Sequence, residues 1–201
     1  ETQSLPELYN FEPEGAQKII DIHKEYIEAG ARLIRTNTFA SNTFMLEADF
    51  DKVAENIKNA IDSAKAATEG TDVFIAGDIG PIQADLCLDL SEIEQEYYDI
   101  VRQFVENGID IITFETFADL EHIVPAITRI KAEKDIFIMV QFSMNQYGYT
   151  KAGISARKLL LMAAAIPGID AVGFNCGVGP GHMEQIMSGL LQDSEVMTAL
   201  K

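Results

Sequence analysis

The chain has 201 residues, with 15 Lys+Arg against 32 Asp+Glu and a formal net charge of −17. So acidic a chain, without a basic run, neither neutralises phosphates nor settles on anionic lipid, which excludes nucleic acid and membrane surfaces as partners. Its 47% apolar content suits a packed core, and no apolar run approaches the ~20 residues of a membrane-spanning helix. No charged-then-apolar leader is visible. The two cysteines, Cys87 and Cys176, make no disulfide framework, so a reducing, cytoplasmic setting is expected. Because the chain opens on Glu1, its natural start is expected to lie upstream.

Helical and strand patterns alternate. After a strandless opening over 1–14, Ile19, Ile20, Ile22, Tyr26 and Ile27 predict the apolar face of a helix over 17–29, stopped by Gly30. A short strand follows at 31–34. Val53, Ile57, Ala60, Ile61, Ala64 and Ala67 predict the inward face of a helix over 52–68, ended by Gly70 before a strand at 73–76. Ser91 is expected to cap a helix to about 106, followed by a strand at 109–114. Asp119 is expected to cap a helix to about 132, with a strand at 136–142 after it. Ser155 should cap a helix to 165, and a strand at 171–174 precedes a helix over 183–191. Nothing marks a linker or second domain, so residues 1–201 read as one domain.

A weak internal repeat runs through these units. Gly30 to Asn37, Gly108 to Glu115 and Gly168 to Asn175 each join a helix-stopping glycine, a short apolar strand and a polar side chain seven residues on. Gly70 leads likewise to Gly77, with Asp78 next. In parallel α/β folds the strands are covered on both faces, and ligand sites form at their C-terminal ends. Asn37, Asp78, Glu115 and Asn175 are therefore candidate site residues, the plainer reading being helix caps or loop partners. A polar exit on every strand favours a (β/α)8 TIM barrel over an open sheet, which concentrates its site at one switch point. Gly177-Val-Gly179-Pro-Gly181 lacks dinucleotide-loop spacing and no phosphate-binding loop occurs, so nucleotide binding has no support. Five strands are legible where a barrel has eight in ~250 residues, so the barrel is expected to be truncated.

Four segments narrow the field: Tyr26-Ile-Glu-Ala-Gly-Ala-Arg-Leu-Ile-Arg-Thr-Asn-Thr-Phe39, Ala76-Gly-Asp-Ile-Gly-Pro81, Phe114-Glu-Thr-Phe117 and Gly173-Phe-Asn-Cys-Gly-Val-Gly-Pro180. In this order and spacing they resemble the homocysteine S-methyltransferase family, which includes the homocysteine-binding domain of methionine synthase and fusions with methylenetetrahydrofolate reductase. Pro6-Glu-Leu-Tyr-Asn10 resembles the family's segment before its first barrel helix. The resemblance implies a (β/α)8 barrel and a zinc ion at its C-terminal rim, held by three cysteine thiolates. Cys176 matches the ligand in the family's Gly-x-Asn-Cys motif. The other two ligands, from a Gly-Gly-Cys-Cys-Gly motif, have no counterpart here, nor has the family's first-strand Asp-Gly-x-Met-Gly-Thr segment, so the resemblance implies that about strands 2 to 6 of the barrel are present.

The resemblance also implies that homocysteine is methylated to methionine. The donor would be methylfolate, directly or through cobalamin, or S-methylmethionine or betaine, and the partner domain in a fusion would be a folate or reductase domain. Glu115 resembles the carboxylate that receives the amino group of homocysteine. Asn37 and Asn175 are equally open to substrate hydrogen bonds and to loop support, and Asp78 falls where the family varies. Read without the resemblance, Cys176 is a small buried apolar residue. Cys87 reads as structural, and His23, His122 and His182 as surface or helix residues without metal spacing. Gly177, Gly179 and Gly181 are expected to let the chain turn beside Cys176. No catalytic residue is assigned. The competing readings are a metal-independent barrel lyase or aldolase acting on a small carboxylate, for which no Schiff-base lysine or strand-end metal set is found, and an inactive barrel fragment.

Overall fold

A computed structural model describes residues 5–82 and 89–200. Cys87 lies outside the described residues. The stop glycines of the repeat all adopt left-handed backbone: φ is 102° at Gly30, 75° at Gly70, 79° at Gly108 and 108° at Gly168. A residue without Cβ enters this region freely: Gly30, Gly70 and Gly108 directly follow the C-caps of their helices, whereas the helix before Gly168 is capped at Ala165 and Gly168 turns the chain into its strand three residues later.

The helices are α1 (Pro13–Glu28), α2 (Thr43–Leu46), α3 (Phe50–Thr68), α4 (Leu90–Glu106), α5 (Val124–Glu133), α6 (Ala156–Ala164), α7 (Pro180–Leu191) and α8 (Ser194–Ala199). The strands are β1 (Leu33–Arg35), β2 (Phe74–Ile79), β3 (Ile111–Phe117), β4 (Phe137–Phe142) and β5 (Ala171–Phe174), and a 3-10 turn, Pro6–Phe11, precedes α1. The strands form one parallel sheet in strictly sequential order, β1-β2-β3-β4-β5. An open doubly wound sheet reverses its order at the switch point, and this one never does, so the sheet is a continuous barrel arc.

Helices α3 and α4 carry much of the core. All six residues predicted for the inward face of α3 are buried, as are Ile93, Tyr97, Ile100, Val101 and Phe104 of α4. Phe104 explains why the repeat slips by one residue in its second unit. A Cβ on Gly77 would lie 2.6–2.9 Å from the Phe104 ring. Gly77 therefore faces the helix layer, and the next residue along the alternating strand, Asp78, faces the interior.

Four local expectations are corrected. Asp89, not Ser91, caps α4: its carboxylate accepts from Ser91 N at 3.1 Å. Asp119 caps no helix. Its carboxylate accepts from Glu121 N in a turn, and α5 starts at Val124, where Pro125 sits in the first turn and has no N–H to leave unpaired. The face of α1 is rotated: Gly15, Ile19 and His23 are buried, while Ile22 and Tyr26 are 46% and 64% exposed. Gly15 sits tight against the backbone of Tyr9, where a Cβ would come within 2.5 Å of its carbonyl oxygen. The 3-10 turn and α3 thus set the rotation of α1, and His23 becomes a buried residue. Finally, α2 and α8 were not expected. Asn42 and Asp193 cap them through bonds to Met45 N and to Glu195 and Val196 N. Ser155 caps α6 as expected.

Candidate active site

All four polar exits reach one cavity of about 760 Å³, lined among others by Asn37, Asp78, Glu115 and Asn175, with Arg35 and Thr113 beside them. Arg35 closes β1, Asp78 lies near the end of β2, Glu115 near the end of β3, and Asn175 follows β5. Parallel strands in sequential order make this convergence unavoidable, since every exit opens on the same rim.

Glu115 is placed by an irregularity. On β3, Phe114 and Phe117 are three residues apart, but their β4 partners Val140 and Phe142 are only two apart. The extra residue is a β-bulge over Glu115 and Thr116, a device that bends a strand and re-aims its side chains. Thr116 carries φ 68°, uncommon for any non-glycine residue and a true outlier for a β-branched one. Asn175 holds this shape from two strands away. Its Oδ1 accepts from Thr116 N at 3.1 Å, and its Nδ2 lies 2.8 Å from Glu115 Oε1 and 2.7 Å from Thr116 Oγ1. Cys176 also has left-handed backbone, φ 55°, and its Sγ lies 3.6 Å from the same Nδ2. Two such residues on one rim store roughly 1–3 kcal/mol each, a cost retained where geometry serves a ligand.

Of the three glycines after Cys176, only Gly177 is required for the turn. It has φ 74°, and a Cβ there would sit 2.0 Å from the carbonyl oxygen of Met144, whereas Gly179 and Gly181 face open space. Asn37 is tied into a partly buried amide network. Its Nδ2 donates to Pro6 O at 2.9 Å and Asn10 Oδ1 at 3.1 Å, and its backbone oxygen accepts from Asn10 Nδ2 at 2.8 Å. That network fastens the 3-10 turn over the end of β1, so the Asn37 amide is already engaged in loop support.

The charges form a chain across β1 to β3. Arg35 Nη1 donates to Glu115 Oε2 and lies 3.9 Å from Asp78 Oδ2. Asp78 is 5% exposed and its Oδ1 has no partner. Burial pushes its pKa from 3.8 to about 7, Arg35 opposes the rise, and Glu7 adds to it. Thr113, the register partner of Asp78, is likewise buried with an unpartnered hydroxyl. His23, on the α1 side of the cavity, has an unpartnered Nε2, and burial lowers its pKa. His122 is half-buried and His182 exposed.

Cys176 is exposed at the rim, and a thiolate is a soft donor suited to zinc. It fits the part of a single ligand. Among the described residues no group of three His, Cys, Asp or Glu side chains is placed to hold a metal, so they supply no complete zinc site.

A family model described as homocysteine S-methyltransferase matches residues 3–200. The chain belongs to the homocysteine S-methyltransferase family. It is 27% identical over 193 residues to methionine synthase of Mycobacterium leprae (strain TN), and 26% identical over 192 residues to that of Mycobacterium tuberculosis (strain ATCC 25618 / H37Rv). Each match covers 87% of this chain and 16% of the relative's length. Among solved structures, the homocysteine methyltransferase MmuM from Escherichia coli in its apo form superposes with a TM-score of 0.73 at 20% identity, over 89% of this chain and 68% of that one. Its metallated form gives 0.73 at 17% identity, over 89% and 72%. These establish the fold: the five-stranded arc is part of the family's (β/α)8 barrel.

Sequence reasoning assigned no role to Arg35, Thr113 or the Thr116 bulge. The one available signal was Arg35 itself, a cation at a strand exit in a chain of net charge −17.

Proposed function

We propose that residues 1–201 are the homocysteine-binding part of a zinc-dependent homocysteine S-methyltransferase that forms methionine, working in the cytoplasm. The observation that carries this reading is the meeting of Glu115, Asn175 and Cys176 on one barrel rim, joined through the Asn175 amide. Homocysteine is a short amino acid with its sulfur and ammonium at opposite ends. Glu115, backed by Asn175, suits the ammonium through a charge-assisted hydrogen bond. Cys176 would be one thiolate ligand of the zinc, with the remaining donors coming from outside the described residues. Zinc, when bound, lowers the pKa of a coordinated thiol from about 8.5, so that the sulfur is nucleophilic at neutral pH. The bulge and the Asn175 bonds keep Glu115 fixed as the substrate arrives, which preserves orientation. The donor would be methylfolate, directly or through cobalamin. S-methylmethionine and betaine are the other donors the family admits, and a folate or reductase domain is the expected fusion partner.

Glu115→Gln tests the reading. A charge-assisted bond is worth roughly 1.5–3 kcal/mol, so in a complete, zinc-loaded domain homocysteine should bind roughly 10- to 100-fold more weakly, with zinc content unchanged. Wild-type affinity in the variant, or loss of its zinc, refutes the role.

A further inference from the structure

Arg35 is held in place by carboxylates yet keeps most of its donors free. Its only hydrogen bond among the described residues is from Nη1 to Glu115 Oε2, and Asp78 lies beside the same nitrogen. A guanidinium has five N–H groups in a planar fork. The Nε and Nη2 edge therefore has no protein acceptor among the described residues, although the side chain is 46% exposed and lines the cavity. That edge has the geometry that grips a carboxylate with two parallel hydrogen bonds. Arg35 is the one Lys or Arg side chain among the residues lining the cavity, whose carboxylates are Asp78 and Glu115. An α-amino acid carries an ammonium and a carboxylate on the same carbon. A carboxylate and a guanidinium already in contact present matching opposite charges at that short separation.

We propose that Arg35 receives the α-carboxylate of the substrate through its Nε/Nη2 edge, while Glu115 takes the ammonium. This rests on the amino-acid reading of the cavity and adds the residue that makes the site specific for an amino acid over a simple amine. Asp78 lies on the β2 side of the guanidinium, its Oδ2 3.9 Å from the same Nη1. Thr113, two residues before Glu115 on β3, lines the same cavity, and its buried hydroxyl is unpartnered.

The test compares three ligands by titration calorimetry on the complete, zinc-loaded domain as wild type, Arg35→Gln and Arg35→Lys. The ligands are L-homocysteine, its des-amino analogue mercaptobutanoate and its des-carboxy analogue mercaptopropylamine. Arg35→Gln should weaken homocysteine and mercaptobutanoate roughly 10- to 100-fold, the loss expected for a charge-assisted bidentate contact. It should leave mercaptopropylamine equal or tighter, because Glu115 is freed of its internal partner. That retained binding also reports an intact fold. Arg35→Lys keeps the charge without the fork and should fall between the two. If Arg35→Gln binds homocysteine as tightly as wild type or tighter, Arg35 merely occludes Glu115 and the proposal fails. An equal loss for all three ligands also overturns it. If wild type binds none of the three, the amino-acid reading of the cavity falls, and the role of Arg35 with it.

Discussion

Replacing Asp78 with asparagine isolates the cost of a carboxyl buried beneath the cavity. The residue is 5% exposed, its Oδ1 is unpartnered, and burial pushes its pKa from 3.8 to about 7 against the pull of Arg35. Between those values the folded protein keeps a proton that the unfolded chain has released. The native state then binds more protons, so stability falls as pH rises through this window and levels off above about 7, where both states are ionised. At about 1.4 kcal/mol per pH unit, wild type loses on the order of 3 kcal/mol through this residue between about pH 5 and about pH 8. Asparagine cannot ionise. Asp78→Asn should therefore gain on wild type by that amount over the same interval. His23, whose pKa burial lowers, titrates in both proteins and cancels. Urea unfolding of the pair at the two pH values measures the difference directly. A gain smaller than about 1 kcal/mol, near the error of the extrapolation, would refute the premise that Asp78 folds protonated.

Three further outcomes are expected. Gly177→Ala forces a Cβ to within 2.0 Å of Met144 O at φ 74°, so it should destabilise the chain by more than about 1 kcal/mol and change the rate at which a thiol reagent modifies Cys176; wild-type values on both measures would show that the turn is loose. Asn175→Ala strips the bulge of its side-chain partners and should weaken homocysteine binding while costing about 1–3 kcal/mol in denaturant unfolding; unchanged binding would mean that Glu115 needs no support. Zinc added to the 201-residue chain should be removed by a mild chelator, because the described residues offer Cys176 and no cluster of three donors. Stoichiometric zinc that survives the chelator and disappears with Cys176→Ser would contradict this.

The alternation of strands and helices was legible because it is local. A glycine that must adopt positive φ ends a helix whatever surrounds it, and the face of α3 follows from helical period alone, down to Val53 and Ala67. From that alternation the rim position of Asp78, Glu115 and Asn175 followed too, since parallel strands exit on one side. What sequence could not supply depends on contacts between distant residues. The rotation of α1 was decided by the fit of Gly15 against Tyr9, which exposed Ile22 and buried His23. The slip at Gly77 was decided by the Phe104 ring arriving from α4. The bulge at Glu115 and Thr116 exists only because β3 and β4 pair out of step, and Asn175 fastens it from two strands away. The Arg35–Glu115 pair joins residues 80 positions apart. Periodicity and turn chemistry fix where a side chain leaves its own strand. Which charges then face one another across the barrel mouth is set by register and packing, which no local stretch of sequence encodes.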